Sequence, residues 1–180
     1  MTPDPAAAPA ALLLTGTVGA GKSTTAAHVG ELLAGRGVPH AVVDLDELRR
    51  SWPAPPGDPF QQDLELENLA AVAAVYRRRG AVRFVLAGVL EDAASRAAYA
   101  AAVGVPLVVC RLRLAVPAVR DRLNARHAGY PSVLEWHRHR AGELHDILER
   151  ARVEDHVVDV AGLAPAAVAA AVLRAVGWDA

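Results

Sequence analysis

Residues 16–23 read Gly-Thr-Val-Gly-Ala-Gly-Lys-Ser and match the spacing G-x-x-x-x-G-K-[ST] at every fixed position. No other run in the chain restricts folding as much. Its glycines admit positive φ, so the backbone can turn tightly and aim successive N–H groups inward. The apolar stretch 11–15 before it reads as a strand, and 22–34 after it as a helix that ends at Gly35 and Gly37. Strand, glycine turn and helix in that order form an anion site, because free N–H groups and the positive end of the helix dipole converge there. Lys22 adds a point charge for β- and γ-phosphates, the Ser23 hydroxyl suits Mg²⁺, and Thr24 comes next in line for the α-phosphate. Lys22 is also the only lysine among 19 cationic residues. Gly16, Thr17, Val18, Gly19, Ala20, Gly21, Lys22, Ser23 and Thr24 are therefore read as a nucleotide-binding loop.

The rest of the chain alternates short apolar runs with longer helical patterns, which predicts an α/β domain with a mainly parallel sheet. Further strands are expected at 40–44, 82–87, 106–112 and 156–160. Helices are expected at 61–79, 93–103, 117–126, from about 131 to 151, and at 165–176. In the helix 61–79, Leu64, Leu66, Leu69, Val72, Val75 and Tyr76 are available for packing. The stretch Pro53-Ala-Pro-Pro-Gly-Asp-Pro59 is a loop, since proline lacks the donor and fixes φ. One domain spans 1–180, with 1–10 flexible and a lid around 120–140.

Composition narrows the function classes. A net charge of −1 gives no basic field, so nucleic acid is not an expected partner. No apolar stretch is long enough to cross a bilayer and the first residues lack a basic n-region, so the expectation is a cytoplasmic protein with no membrane partner. Cys110, in an apolar run, reads as a small buried hydrophobe. Oligomeric state, monomer or homodimer, stays open.

The second chemical signal is Val43-Asp44-Leu45-Asp46-Glu47-Leu48-Arg49, placed where the second parallel strand should end. Ligands of open α/β sheets sit at the carboxyl ends of strands, so these carboxylates face the crevice of the glycine loop. In an extended chain Asp44 and Asp46 would share a face. One would order Mg²⁺ or its water and the other would accept the proton of an attacking hydroxyl, with Arg49 on the acceptor. The strand 82–87 ends in Ala87-Gly88 without the usual acid, which makes the Asp44/Asp46 pair more necessary. Glu91 and Asp92 are weaker candidates.

The glycine loop followed by this acidic segment resembles small-molecule kinases of the nucleoside-monophosphate-kinase-like group. Adenylylsulfate kinase carries Asp-Gly-Asp-Asn-Val-Arg at the corresponding place, and gluconate kinase and chloramphenicol phosphotransferase carry an acid there. The resemblance implies a three-layer P-loop NTPase fold with a five-stranded parallel sheet, kinase-like strand order and a short helical lid. It also implies ATP and Mg²⁺ as cofactors, metal and base roles for Asp44 and Asp46, and a substrate role for Arg49. Leu45 and Glu47 depart from the adenylylsulfate kinase pattern, and that family's lid residues are not found, which argues against sulfate activation.

Arg122-Leu-Asn-Ala-Arg126 resembles the lid arginines of these kinases, and the i, i+4 spacing puts both on one helix face. Positive charge there would offset charge in the transition state. The segment around Gly162 resembles the loop that wraps the adenine ring. His127, His137, His139 and His145 do not read as a zinc site, since His137 and His139 point to different faces and no cysteine joins them. Tyr130 and Trp136 are expected in core packing rather than in an acceptor pocket, and Arg77, Arg78 and Arg79 as a solvated helix end. Two functions follow: an ATP-dependent phosphotransferase acting on a small-molecule acceptor, or a nucleotide-binding regulator or slow NTPase without one.

Overall fold

The computed structural model describes residues 8–126 and 129–179, with the backbone alone for Arg126. Residues 1–7, which open the segment expected to be flexible, and His127 lie outside the described residues. The elements run β1 (Ala10–Thr15), α1 (Lys22–Gly35), β2 (His40–Asp44), α2 (Leu45–Leu48), α3 (Gln62–Arg78), β3 (Arg83–Ala87), α4 (Ala93–Val103), β4 (Leu107–Arg113), α5 (Val116–Arg126), α6 (Pro131–Ala151), β5 (His156–Asp159) and α7 (Pro165–Ala175).

All five strands are parallel, in the order β2-β3-β1-β4-β5. A parallel sheet is covered on both faces, so its strands read as continuous apolar runs, and 11–15 of β1 are all buried. Alternation along β1 then divides the core. Leu12 and Leu14 pack with Val29, Leu33, Val172 and Leu173 on one side, while Ala11 and Leu13 pack with Leu69, Tyr99 and Val103 on the other. Helices α1 and α7 cover the first face, α3 and α4 the second, which makes three layers.

The α3 stripe Glu65, Leu69 and Ala73 is buried at i, i+4 and i+8. Val75 and Tyr76, expected in packing, stay 46% and 40% exposed in the last turn. Arg77 is not a purely solvated helix end, because its guanidinium donates to the Gly104 carbonyl at 2.9 Å and satisfies an orphan acceptor at the end of α4. Cys110 is fully buried as expected, and burial pushes its thiol up to about 12.

Register fixes what stands at the carboxyl edge. Leu14 of β1 and Asp44 of β2 both align with Ala87 of β3. The glycine loop and the acidic segment therefore leave the sheet at the same level, separated by one strand that ends in two small residues. A Cβ at Gly88 would lie 2.5 Å from Leu45 Cδ1. The bare glycine lets Leu45, 1% exposed, drive α2 down over the end of β3.

Candidate active site

The loop after β1 turns through Gly16 (φ 147°), Gly19 (82°) and Gly21 (97°). At Gly16 a side chain is excluded on two grounds: the φ, and a Cβ position only 2.7 Å from the Leu112 carbonyl oxygen. Gly21 is the N-cap of α1 in the left-handed region and makes no side-chain cap, so the first-turn N–H groups of α1 have no protein side chain to bond. Lys22 Nζ donates to the carbonyls of Gly16 at 3.1 Å and Thr17 at 3.2 Å. Its ammonium is enclosed by protein although part of the side chain is accessible. That burial pushes its pKa down to about 8, against the pull of Asp46 and then Asp44. A desolvated cation at the head of a glycine turn fits a phosphate chain.

Val18, Gly19, Gly21, Lys22, Ser23 and Thr24 line one end of a cavity of about 910 Å³. Gly16, Thr17 and Ala20 stand behind that surface, and Thr17 is buried. Arg122 reaches in from α5, its Nη1 3.5 Å from the Ala20 carbonyl oxygen. Arg126 lies one turn further along α5, and its side chain is outside the described residues. Gly162 (φ 70°) forms the turn between β5 and α7 and is not among the residues that line this cavity.

Asp44 and Asp46 both line the cavity, but not as neighbours on an extended face. The chain enters α2 directly after Asp44, and Asp44 Oδ1 accepts from the Asp46 N–H at 3.1 Å as the helix N-cap. This one-turn helix replaces the extended geometry expected from their spacing. Ser23 and Asp44 line the same cavity, and a hydroxyl and a carboxylate oxygen are hard donors of the kind Mg²⁺ takes. Asp46 is ion-paired with Arg49. Asn68 of α3 donates to the Leu48 carbonyl at 2.7 Å and ties α2 down.

Beneath Arg49 lies the part of the site that sequence reasoning missed. Arg49 Nη1 is 3.3 Å from Oε2 of Glu65, and the Tyr99 hydroxyl donates to Glu65 Oε1 at 2.5 Å. Glu65 is 1% exposed. Burial pushes its carboxyl pKa up, while Tyr99 and Arg49 oppose that rise. Burial also pushes the Tyr99 phenol well above its ordinary range, and Glu65 adds to it. Burial disfavours charge on Arg49, but Asp46 and Glu65 together hold its guanidinium above the ordinary value. A carboxylate on the apolar stripe of α3, at the i−4 position of Leu69, is the signal that marks Glu65 in the sequence.

The far wall comes from the proline-rich loop and from α6. Arg140 is ion-paired with Glu91, and its guanidinium carbon lies 5.3 Å from the centroid of the Phe60 ring. Asp92 also lines the cavity, but its carboxylate caps α4 by accepting from the Ser95 N–H at 2.7 Å. That bond holds its pKa below the ordinary value. Trp136 lines the cavity and Tyr130 stands free of it, both largely exposed. Core packing does not hold for either residue, because α6 buries Ala141, Leu144 and Leu148 and leaves its first turns overhanging the cavity mouth. No group of histidines, cysteines or acids among the described residues is arranged to hold a metal by protein side chains alone. No helix among them is long and apolar enough to cross a membrane.

A family model described as Zeta toxin matches residues 2–82, which contain the glycine loop, the Asp44–Arg49 segment and α3. No curated protein matches the chain. Among solved structures, the tunicamycin resistance protein of Deinococcus radiodurans superposes with a TM-score of 0.65 at 24% identity, covering 94% of this chain and 96% of that one. Shikimate kinase from Acinetobacter baumannii, solved with shikimate, gives 0.65 at 19% identity, with 94% and 93% covered. The APS kinase of Mycobacterium tuberculosis, solved with AMPPNP and APS, gives 0.64 at 21% identity, with 94% and 98% covered. The chain has the three-layer α/β fold of P-loop kinases, with the strand order and five-stranded parallel sheet that the resemblance implied.

Proposed function

We propose that this chain is an ATP-dependent phosphotransferase that moves the γ-phosphate of ATP to a hydroxyl of a small molecule. The observation that carries the reading is one cavity lined by two chemically different sets of groups. Lys22 and the glycine loop line it together with Asp46, Arg49 and the exposed rings of Phe60 and Trp136. Two solved structures of the same fold bear kinase names, which supports phosphotransfer without identifying an acceptor.

In this reading Lys22 binds the β- and γ-phosphates, and Arg122 from the lid, with Arg126 beyond it, offsets charge on the transferring group. The acceptor hydroxyl oxygen forms a bond to the γ-phosphorus. The bond from that phosphorus to the β–γ bridging oxygen breaks, and ADP leaves with the electron pair. The hydroxyl proton passes to Asp46 or to Asp44. Ser23 and Asp44 would hold Mg²⁺, which supplies charge neutralisation on the phosphates when bound. The turn at Gly162 is assigned to the adenine end by resemblance.

The test is ATP consumption by the purified chain with Mg²⁺, screened against nucleosides, sugars, antibiotics and adenylylsulfate. Turnover well above the no-acceptor rate is the expected result. A flat panel together with tight ATP binding would replace this reading with a regulator or slow NTPase.

A further inference from the structure

The acceptor end of the cavity has a charge pattern that selects among acceptors. Besides the glycine loop, the cavity is lined by the carboxylates of Asp44, Asp46, Glu47, Glu91 and Asp92, of which Glu47 is ion-paired with Arg50 at 2.8 Å. The guanidiniums on that wall are those of Arg49 and Arg140, and neither is available. Arg49 is engaged by Asp46 and, at 3.3 Å, by buried Glu65. Arg140 is engaged by Glu91 and, at 3.4 Å, by Glu143. An anionic acceptor would have to displace a carboxylate from one of them in a cavity that the Asp44 and Asp92 carboxylates also line, and like charges brought together there are disfavoured.

The same wall carries exposed ring surface. Trp136 is 55% exposed and Phe60 53% exposed, and both line the cavity. Trp136 sits one helical turn before Arg140 on α6, and Arg140 lies over the Phe60 ring. Arg140 and Trp136 thus stand on the same stretch of α6, with the Phe60 ring beneath the guanidinium. Large rings left uncovered inside a pocket are what a ligand with an apolar face would cover.

From these observations, and resting on the phosphotransfer reading, we infer that the acceptor is a hydroxyl compound without negative charge that lays an aromatic or similarly flat apolar ring against Trp136 and Phe60. Specificity then comes from two sources: ring contact selects for the apolar face, and the Glu91–Arg140 and Glu65–Arg49 pairs exclude acids by keeping both guanidiniums neutralised.

Matched probes separate ring from charge. With the full chain and MgATP, ADP release is measured for 1-phenylethane-1,2-diol, for mandelate (the same ring and hydroxyl with a carboxylate), and for gluconate. Binding of the diol and of mandelate is measured in parallel by calorimetry with MgADP present. The expected result is that the diol binds and is turned over with kcat/KM at least about tenfold above mandelate and gluconate. Trp136→Ala should raise KM for the diol about tenfold and leave KM for ATP unchanged. The double variant Glu91→Ala/Glu143→Ala leaves Arg140 without either carboxylate and should improve mandelate about tenfold without improving the diol, a change that a merely structural role for the pair would not produce. Turnover of mandelate or gluconate equal to or better than the diol overturns the inference and leaves phosphotransfer standing. Failure of the diol to bind overturns it as well. Diol binding that depends on Trp136, with no acceptor stimulating ATP consumption, supports the pocket and overturns phosphotransfer instead.

Discussion

Glu65 Oε2 and Arg49 Nη1 meet at 3.3 Å, so the guanidinium on the acceptor side is held between a buried carboxylate below and Asp46 beside it. The buried member has a measurable signature. Its folded pKa is raised above the ordinary 4.5, mainly by burial. A raised carboxyl contributes stability that is fully present below the unfolded pKa and is lost as pH rises through the folded value. Urea midpoints of the wild type should therefore fall relative to Glu65→Gln as pH rises from about 4.5 towards neutrality. Parallel curves for the two proteins would show that Glu65 does not titrate in this window.

Tyr99→Phe removes the only hydrogen bond that reaches Glu65 Oε1 among the described contacts. The carboxylate oxygen left behind is buried, so the variant should lose about 1–3 kcal/mol in urea unfolding. Its KM for the acceptor should rise more than its KM for ATP, because Arg49 loses its support while the glycine loop is untouched. Equal changes in both constants would place Tyr99 in general packing.

Lys22→Ala should abolish ATP binding and leave the circular dichroism spectrum unchanged, since the ammonium bonds only to carbonyls of its own loop. Titration adds a second readout. With the free-state pKa held down to about 8 by burial, an arriving phosphate chain raises it, so nucleotide binding takes up protons above that pH and affinity falls as pH rises further. Calorimetry in buffers of different ionisation enthalpy should show this uptake in the wild type. Retained ATP affinity in Lys22→Ala would remove the site assignment.

Asp46→Asn should lower kcat by about a hundredfold or more while changing nucleotide affinity little, the pattern of a lost general base. The amide oxygen still accepts from Arg49, so the shape of the pocket should survive. Unchanged turnover would transfer the base role to Asp44, whose own Asn variant still caps α2.

The parts of this molecule legible in its sequence are those where a local pattern has one physical outcome. A glycine turn between an apolar strand and a helix can do little except form an anion site, and the parallel sheet followed from continuous apolar runs such as 11–15. Asp44 and Asp46 were found by type and position, but their geometry was not, because the one-turn α2 depends on Leu45 packing against bare Gly88. Glu65 escaped notice because a glutamate in a helix is ordinarily solvated, and only the stripe it shares with Leu69 and Ala73 marks it as buried. The far wall was beyond reach for another reason. Arg140 meets Glu91 across 49 residues of sequence, and no local rule encodes that meeting.

The bare position at the end of β3 has a consequence for how this catalytic centre can change. An acid introduced there by Gly88→Asp, to restore the strand-end carboxylate common in P-loop proteins, would collide with the Leu45 side chain. Leu45 opens the same turn that carries Asp46, so the gain of one carboxylate would evict the other. An acid at position 88 therefore requires the Leu45 side chain to move or residue 45 to be smaller.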